Sequence, residues 1–363
     1  MVGQCGLQVC AASRNGQAIA NLPGATSFAL RVMRAKRERM QLMDHRCCGR
    51  TVNIRRGLAF VSMNMAVVTQ IAERATSLRL DLDAPFDDLD PLTDRVRDAK
   101  VVALGSAVRH SHELCTLTDR VMRFLMDQHG FRSLALEGDE AASIGLDTYV
   151  QVGECDLRAI LAGARSFWRF AEILEAVRWI RARNEQNPSD QVRVVHVAEQ
   201  PREAVRQLAG GESIERRVAD LTIAWHEQTG HRIVYWGGLA HTANGLATGS
   251  NAGSHLRQRF GSGYVSIALT FHHGSLPALG SLPLLVADHP PADYVEAVLG
   301  AVDLETYLLK IHGDWPQSVR EWLDVPAKTR LIGPGIHELL GPSLRTWFDF
   351  IIHSRRITPA RAL

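Results

Sequence analysis

The chain has 363 residues, of which 46% are hydrophobic and 22% charged. These are ordinary globular values, and the length suffices to bury one large α/β core or two smaller ones. A formal net charge of +2 argues against a dedicated nucleic-acid partner, and the lack of a run of about 18 apolar residues argues against a membrane span. A small molecule is the expected partner.

Charge is unevenly placed. Residues 1–60 hold ten Lys/Arg against two Asp/Glu, and the remainder carries a modest acidic excess. Residues 1–62 are expected to be a basic leader outside the fold. It reads as a disordered tail or as a start placed upstream of Met63 or Met65, and its Arg-rich, acid-poor composition also resembles a transit peptide. A basic helix around Arg31 to Arg39 would suit a nucleic acid or membrane surface, although the leader readings are the stronger ones. Cys5, Cys10, Cys47 and Cys48 lie in this leader, and Cys115 and Cys155 in the body. The adjacent pair Cys47–Cys48 suits neither tetrahedral metal spacing nor a disulfide framework, so a reducing cytoplasm is expected.

The body, residues 63–363, opens with apolar spacing for helices near 66–72 and 89–96. Val101 to Leu104 then read as a short buried strand interrupted by Gly105. A polar loop containing Ser106, Arg109, His110, His112 and Glu113 follows. From Ser111 the three- and four-residue spacing of Leu114, Leu117, Val121, Phe124 and Leu125 predicts a helix to about 129. A second strand, 133–137, ends in Glu137, and the pair makes a βαβ unit.

Residues 139–184 read as helical, with Phe167, Phe170, Ile173, Leu174, Val177 and Ile180 as an apolar stripe. Strands are expected over 192–197, 233–236, 265–271, 305–309, 329–332 and 349–353. Helices are expected over 201–208, 213–227, 292–299 and 315–323. Such alternation predicts an α/β fold with a mostly parallel sheet flanked by helices.

Polar groups gather just after these strands: His110 and His112, Glu137, His241, then His272 and His273. In a parallel sheet such ends share one edge, where open α/β folds place their ligands. A carboxylate beside a histidine orients the ring and raises its basicity, as water activation requires. A second imidazole or Arg109 could then stabilise an oxyanion. The structural alternative makes Glu137 a helix cap and His272 and His273 loop surface. No Gly-x-Ser-x-Gly elbow, Walker loop or dinucleotide-binding glycine pattern is present. His110-x-His112 could chelate a metal with Glu137 and His241, but such spacing is common by chance, and neither metal nor cofactor is expected.

With these residues in place, the body resembles the erythromycin esterase family, which includes succinoglycan-biosynthesis-like members. Gly105-Ser106-Ala107-Val108-Arg109-His110 stands where the family has Gly-Glu-Ala-Thr-His-Gly. Arg123-Phe124-Leu125, Gly130-Phe131-Arg132 and Leu136-Glu137-Gly138-Asp139 follow the family pattern. So do Phe167-Trp168, Trp179-Ile180-Arg181-Ala182-Arg183-Asn184, Leu239-Ala240-His241-Thr242-Ala243-Asn244, Gly274-Ser275 and Thr358-Pro359-Ala360-Arg361.

The resemblance implies a hydrolase using water activated by a glutamate and histidines. Here the first motif is degenerate, with Ser106 and Arg109 replacing the family's glutamate and histidine. Thr118 replaces a basic residue, and Asn244 replaces a second histidine. Arginine stays charged and cannot serve as a general base. The implied catalytic set is therefore Glu137 and His241 with His110 or His112. Substrate contacts are expected from Ser106, Arg109, Glu113, Asn244, His272 and Trp168. The span from Gly105 to His241 is shorter than in macrolide-cleaving members, which implies a shortened helical insert. The reading is a diverged hydrolase of a natural-product or saccharide-type ester or lactone. The alternative is a catalytically impaired member that binds a small molecule, haem or metal included, or a protein.

Overall fold

Every residue of the strand Val101–Ser106 is buried, and helices cover both faces of the sheet around it, which is why its sequence reads as a continuous apolar run. The computed structural model describes residues 65–138, 140–196, 214–245, 250–277, 285–332 and 336–363. The leader expected over 1–62 and the helix expected over 201–208 lie outside these residues.

In chain order, a helix over residues 65–74 (α1) precedes β1 (Thr76–Ser77) and α2 (Thr93–Val96). Then come β2 (Val101–Ser106), α3 (His112–Gln128) and β3 (Phe131–Leu136). Three helices, α4 (Glu140–Val152), α5 (Leu157–Gly163) and α6 (Ala171–Gln186), lead to the short β4 (Arg193–Val194). After α7 (Ile214–Thr229), β5 (Arg232–Gly238) runs directly into α8 (Leu239–Thr242), and α9 (Ala252–Phe260) precedes β6 (Tyr264–Leu276). The remainder holds β7 (Leu285–Ala287), α10 (Val295–Leu299), β8 (Thr306–Lys310) and α11 (Gln317–Asp324). It closes with β9 (Ala327–Ile332), β10 (Ile336–Gly341), α12 (Leu344–Trp347) and β11 (Phe350–Ile357).

The main sheet runs β1-β8-β11-β6-β2-β5-β3-β4, with β7 paired to β6. From β11 to β4 all neighbours are parallel. β8 and β1 add an antiparallel edge. β9 and β10 pair separately. Alternate residues of the central strands point to opposite cores. Val102, Leu104, Val234 and Trp236 belong to the larger cluster, with α3 and α6 residues such as Leu114, Val121, Ile173 and Ile180. Val101, Ala103, Ile233 and Tyr235 pack with Ala219, Trp225 and Leu256 of α7 and α9. This is a three-layer arrangement with β2 near its centre.

Local chemistry explains several boundaries. Ser111 caps α3 by accepting the Leu114 N–H at 3.2 Å. The helical stretch between β3 and β4 is broken at Asp156, whose carboxylate accepts from Arg158 and Ala159 and starts a new helix. Gly105 does not end its strand as the sequence suggests. A Cβ there would lie 1.9 Å from Thr242 Oγ1, so the glycine lets α8 pack directly over β2. Among the described residues of the expected strand 192–197, only Arg193–Val194 are strand, and residue 197 lies outside them. The expected strand 329–332 lies in β9, β10 and α9 have no counterpart in the sequence reading, and β8 runs antiparallel to its neighbours.

Candidate active site

β2, β5 and β3 are adjacent and parallel, so the segments leaving their carboxyl ends meet above one edge. Arg109 follows β2, Glu137 follows β3, and His241 sits in α8 just beyond β5. The structure brings these three together. Glu137 Oε1 is 3.1 Å from His241 Nε2, and Oε2 accepts the Gly238 N–H at 2.6 Å and pairs with the Arg109 guanidinium. Gly237 permits this approach, since a Cβ there would lie 3.1 Å from Glu137 Oε2. Below the carboxylate, Trp168 Nε1 donates to the Glu137 carbonyl at 3.3 Å. The Arg109 guanidinium lies over the Phe167 ring, 3.9 Å from its centroid, a cation–π contact that keeps its head in place.

The other face of His241 meets Glu215, in the first turn of α7, with Nδ1 2.5 Å from Oε1. Glu215 Oε2 in turn accepts the Ala252 N–H at the start of α9, at 2.9 Å. His241 is therefore held between two carboxylates. Burial pulls its pKa down, but the Glu215 hydrogen bond and the charges of Glu137 and Glu215 outweigh this, and the imidazole is held above its ordinary value. For Glu137 burial pushes upward, yet Arg109, His241 and the Gly238 N–H hold the carboxyl below its usual range.

Above this group opens a cleft of about 160 Å³, bordered by Ser106, Arg109, Gly238, His241, Leu331 and His337. Arg109 and His241 face it, and Glu137 and Glu215 back them. Ser106 borders it too, with its hydroxyl donating to the Val108 carbonyl at 2.7 Å. The arrangement offers a basic imidazole with its tautomer held from behind and a permanent cation beside it.

The other expected site residues lie elsewhere. His110 is buried, its ring stacked on Phe170 with centroids 6.2 Å apart. Burial and the neighbouring Arg109 charge push it down to about 4. Among the described residues, no hydrogen bond or ion pair links it to Glu137 or His241. His112 turns away, its Nδ1 2.9 Å from Glu172 Oε1, and lines a separate cleft with Cys115, Asp119, Glu175 and Arg361. Glu113 is an anchor for the C-terminal segment, accepting the Thr358 N–H at 2.7 Å and hydroxyl at 2.6 Å. Asn244 Nδ2 donates to the Thr346 carbonyl at 3.1 Å. Trp168 is 1% exposed and supports Glu137 from below rather than facing the cleft. His272 gathers with His273 and His289 at the end of β6.

Glu215, Phe167 and His337 are absent from the sequence-derived site. Glu215 has no local signature, because only the packing of α7 against α9 turns it toward His241. Gly333-Pro334-Gly335 is a turn signal between two apolar runs and could have flagged a strand carrying His337.

A mostly parallel sheet with a carboxylate-backed histidine at its carboxyl edge defines a hydrolase-like α/β fold. The family described as erythromycin esterase matches residues 126–198 and 193–357, and the chain belongs to that family. Among solved structures it is similar to a succinoglycan biosynthesis protein, at 20% identity and a TM-score of 0.72, over 83% of this chain and 99% of the other. It is also similar to a Bacillus cereus protein, at 19% identity and 0.67, over 83% and 99%. A mutant of the erythromycin esterase EreC in its open conformation shares 12% identity at 0.58, over 79% and 98%. Among the described residues no helix is long and apolar enough to cross a membrane.

Proposed function

We propose that the chain is a hydrolase of an ester or lactone in a natural-product or saccharide-type small molecule, with His241 as general base. The observation that carries this reading is the position of His241 between Glu137 and Glu215 at the mouth of a cleft that Arg109 shares. With Nδ1–H kept on Glu215, Nε2, which rests 3.1 Å from Glu137 Oε1, has to open from that contact to take a proton from water. The hydroxide oxygen forms its bond to the substrate carbonyl carbon, and Glu137 stabilises the imidazolium produced. Negative charge on the carbonyl oxygen develops beside the Arg109 guanidinium. Collapse breaks the bond to the leaving oxygen, which receives the proton back from His241.

Glu137 and Glu215 are positioning residues in this scheme, and Glu137 differs from the first expectation in that it stands behind the cleft. The family's first-motif histidine has no equivalent here, so one imidazole serves where the family has more. The cleft admits the reacting ester and its immediate neighbours, with the rest of a larger substrate over the rim. Hydrolysis of a panel of short-chain esters, lactones and macrolides by the full-length protein tests the proposal. Turnover is expected, falling by about 10²–10⁴-fold in His241→Ala. Equal turnover in that variant, or none in the wild type, removes it.

A second reading, a cleft that binds without turnover, is favoured by Arg109, which fills the family histidine's place with a group that cannot take a proton. It predicts saturable binding of an anionic or ester-bearing ligand, lost in Arg109→Met, with no product formed.

A further inference from the structure

We propose that His272, His273 and His289 form a binding site for one borderline divalent transition-metal ion, with Zn²⁺ as the type case. One nitrogen of each ring lies within 4.8 Å of the others. His272 Nδ1 and His273 Nδ1 are 3.2 Å apart. Two imidazoles on a tetrahedral zinc have their nitrogens roughly 3.4 Å apart, from bonds of about 2.0–2.1 Å. The first pair already has that spacing. His289 is exposed; its ring stacks on that of His273 with centroids 4.7 Å apart, and closing the third bond requires it to turn toward the ion.

The backbone is built to hold these rings together. β6 and β7 pair antiparallel, with Gly274 opposite Ala287, and continuing that register places His289 opposite His272. Arg330, itself 3% exposed, braces both segments. Its Nη2 donates to the His272 carbonyl at 2.5 Å and the Phe271 carbonyl at 3.1 Å, and its Nη1 donates to the Asp288 carbonyl at 2.7 Å. Gly300 makes room for the first ligand, because a Cβ there would lie 2.2 Å from the His272 ring. An ordinary surface histidine cluster has no need of a buried arginine crosslinking its two strands.

The donor set selects the ion. Three imidazoles without a carboxylate ligand suit Zn²⁺, Co²⁺, Ni²⁺ or Cu²⁺, while Ca²⁺ and Mg²⁺ require oxygen donors. Three protein ligands leave the fourth position to water, and the exposure of His289 directs that position to solvent. Arg330, Arg355, Arg356 and Glu305 surround the group. This largely cationic shell weakens binding relative to a thiolate site and sets the expected affinity in the micromolar range. None of the site's residues belongs to the Arg109–Glu137–His241 group, so the proposal stands apart from the hydrolase reading.

The full-length protein, stripped with a chelator, is titrated with Co²⁺ and then Zn²⁺ at mildly alkaline pH. One Co²⁺ is expected to bind with a low-symmetry visible spectrum and no thiolate charge-transfer band, and Zn²⁺ is expected to displace it. His289→Ala should weaken binding by more than about 100-fold, since even outer-shell changes cost 10–100-fold. Being exposed, His289 can be replaced without disturbing the core, and His273→Ala provides a second reading of the same loss. Zn²⁺ should also raise the melting temperature of the wild type by mass action, and not that of His289→Ala. The proposal is overturned if the wild type takes up no ion at micromolar concentrations. It is equally overturned if both variants bind as the wild type does, or if the Co²⁺ spectrum carries a thiolate band.

Discussion

Glu215 and His241 come from separate helices, and their side chains meet with Oε1 2.5 Å from Nδ1. This contact does more than orient a ring. It engages Nδ1 and leaves Nε2 to Glu137 Oε1, 3.1 Å away, and together with Glu137 it holds the imidazole above its ordinary pKa. His241 is therefore a stronger base than a free histidine, and more of it is protonated at neutral pH. Activity that depends on its unprotonated form should rise with pH through a value above 6.5. In Glu215→Gln the charge is gone and the hydrogen bond weaker, so the rising limb should move to lower pH while the plateau rate falls. The kcat/KM profile checks this, as does the ring titration followed by NMR. An unmoved limb would show that Glu215 has only a packing role.

Arg109 offers a second prediction. If it meets the developing oxyanion, Arg109→Met should lower kcat by about 10²–10³-fold with a smaller change in KM. Removing the cation also frees the Glu137 carboxyl to rise from its depressed value, since Arg109 is the largest influence holding it down against burial. A variant with wild-type kcat but a lower melting temperature would restrict Arg109 to a structural part.

Far from the cleft, Arg120 is 1% exposed and clamps Asp88 through bonds of 2.7 and 3.0 Å. It also donates to the carbonyls of Arg79 and Pro85, at 2.8 and 2.7 Å. Arg120→Met leaves the buried Asp88 carboxylate with only the Arg79 N–H at 2.8 Å and the Arg79 guanidinium at 3.7 Å, and should cost up to about 3–5 kcal/mol in denaturant unfolding. Burial raises the Asp88 carboxyl, but Arg120 and the Arg79 N–H outweigh it, and the folded-state pKa is below 3.8. Ionised Asp88 therefore favours the fold above that pH, and its contribution is lost as pH falls through the lower folded value. Asp88→Asn should be less stable near neutrality and show a shallower loss of stability in acid, as followed by circular dichroism.

Gly105 carries the last prediction. A methyl group there would meet Thr242 Oγ1 at 1.9 Å, so Gly105→Ala must displace α8, which holds His241. Overpacking of this kind costs about 1–3 kcal/mol. The His241 ring resonances should shift and activity fall, with the rest of the sheet intact. An active, equally stable Gly105→Ala protein would mean that α8 adjusts freely and that its contact with β2 does not set the site.

Much of the architecture was legible in the chain. Val101 to Leu104, Ser133 to Leu136, Ile233 to Trp236 and Val265 to Phe271 announce buried parallel strands because apolar residues fall on both faces, and the helical spacing from Leu114 to Leu125 is regular. Glu137 and His241 stand out as polar residues directly after such strands. His110 and His112 look equally promising, yet the first packs on Phe170 and the second turns to Glu172. Neighbouring residues in a loop or first helical turn point in different directions, and spacing cannot choose among them.

The antiparallel direction of β8 and the pairing of β9 with β10 escape the pattern because strand direction and partner leave no mark on apolar periodicity. Glu215 and His289 escape it because their importance comes from partners distant in the chain. Trp168 shows the reverse case, in which a motif residue expected to touch substrate is instead a buried support for Glu137.

Apolar patterning by itself determined that this chain builds a helix-covered, mostly parallel sheet with polar residues at the strand ends, since burying those runs leaves few other solutions. The strand order β6-β2-β5-β3 decided that Arg109, Glu137 and His241 meet, and side-chain packing decided that Glu215 joins them while His110 and His112 do not. Burial is a property of each residue's chemistry and can be read locally. A charge network depends on directions and distances between segments, which come into being only when the sheet has assembled.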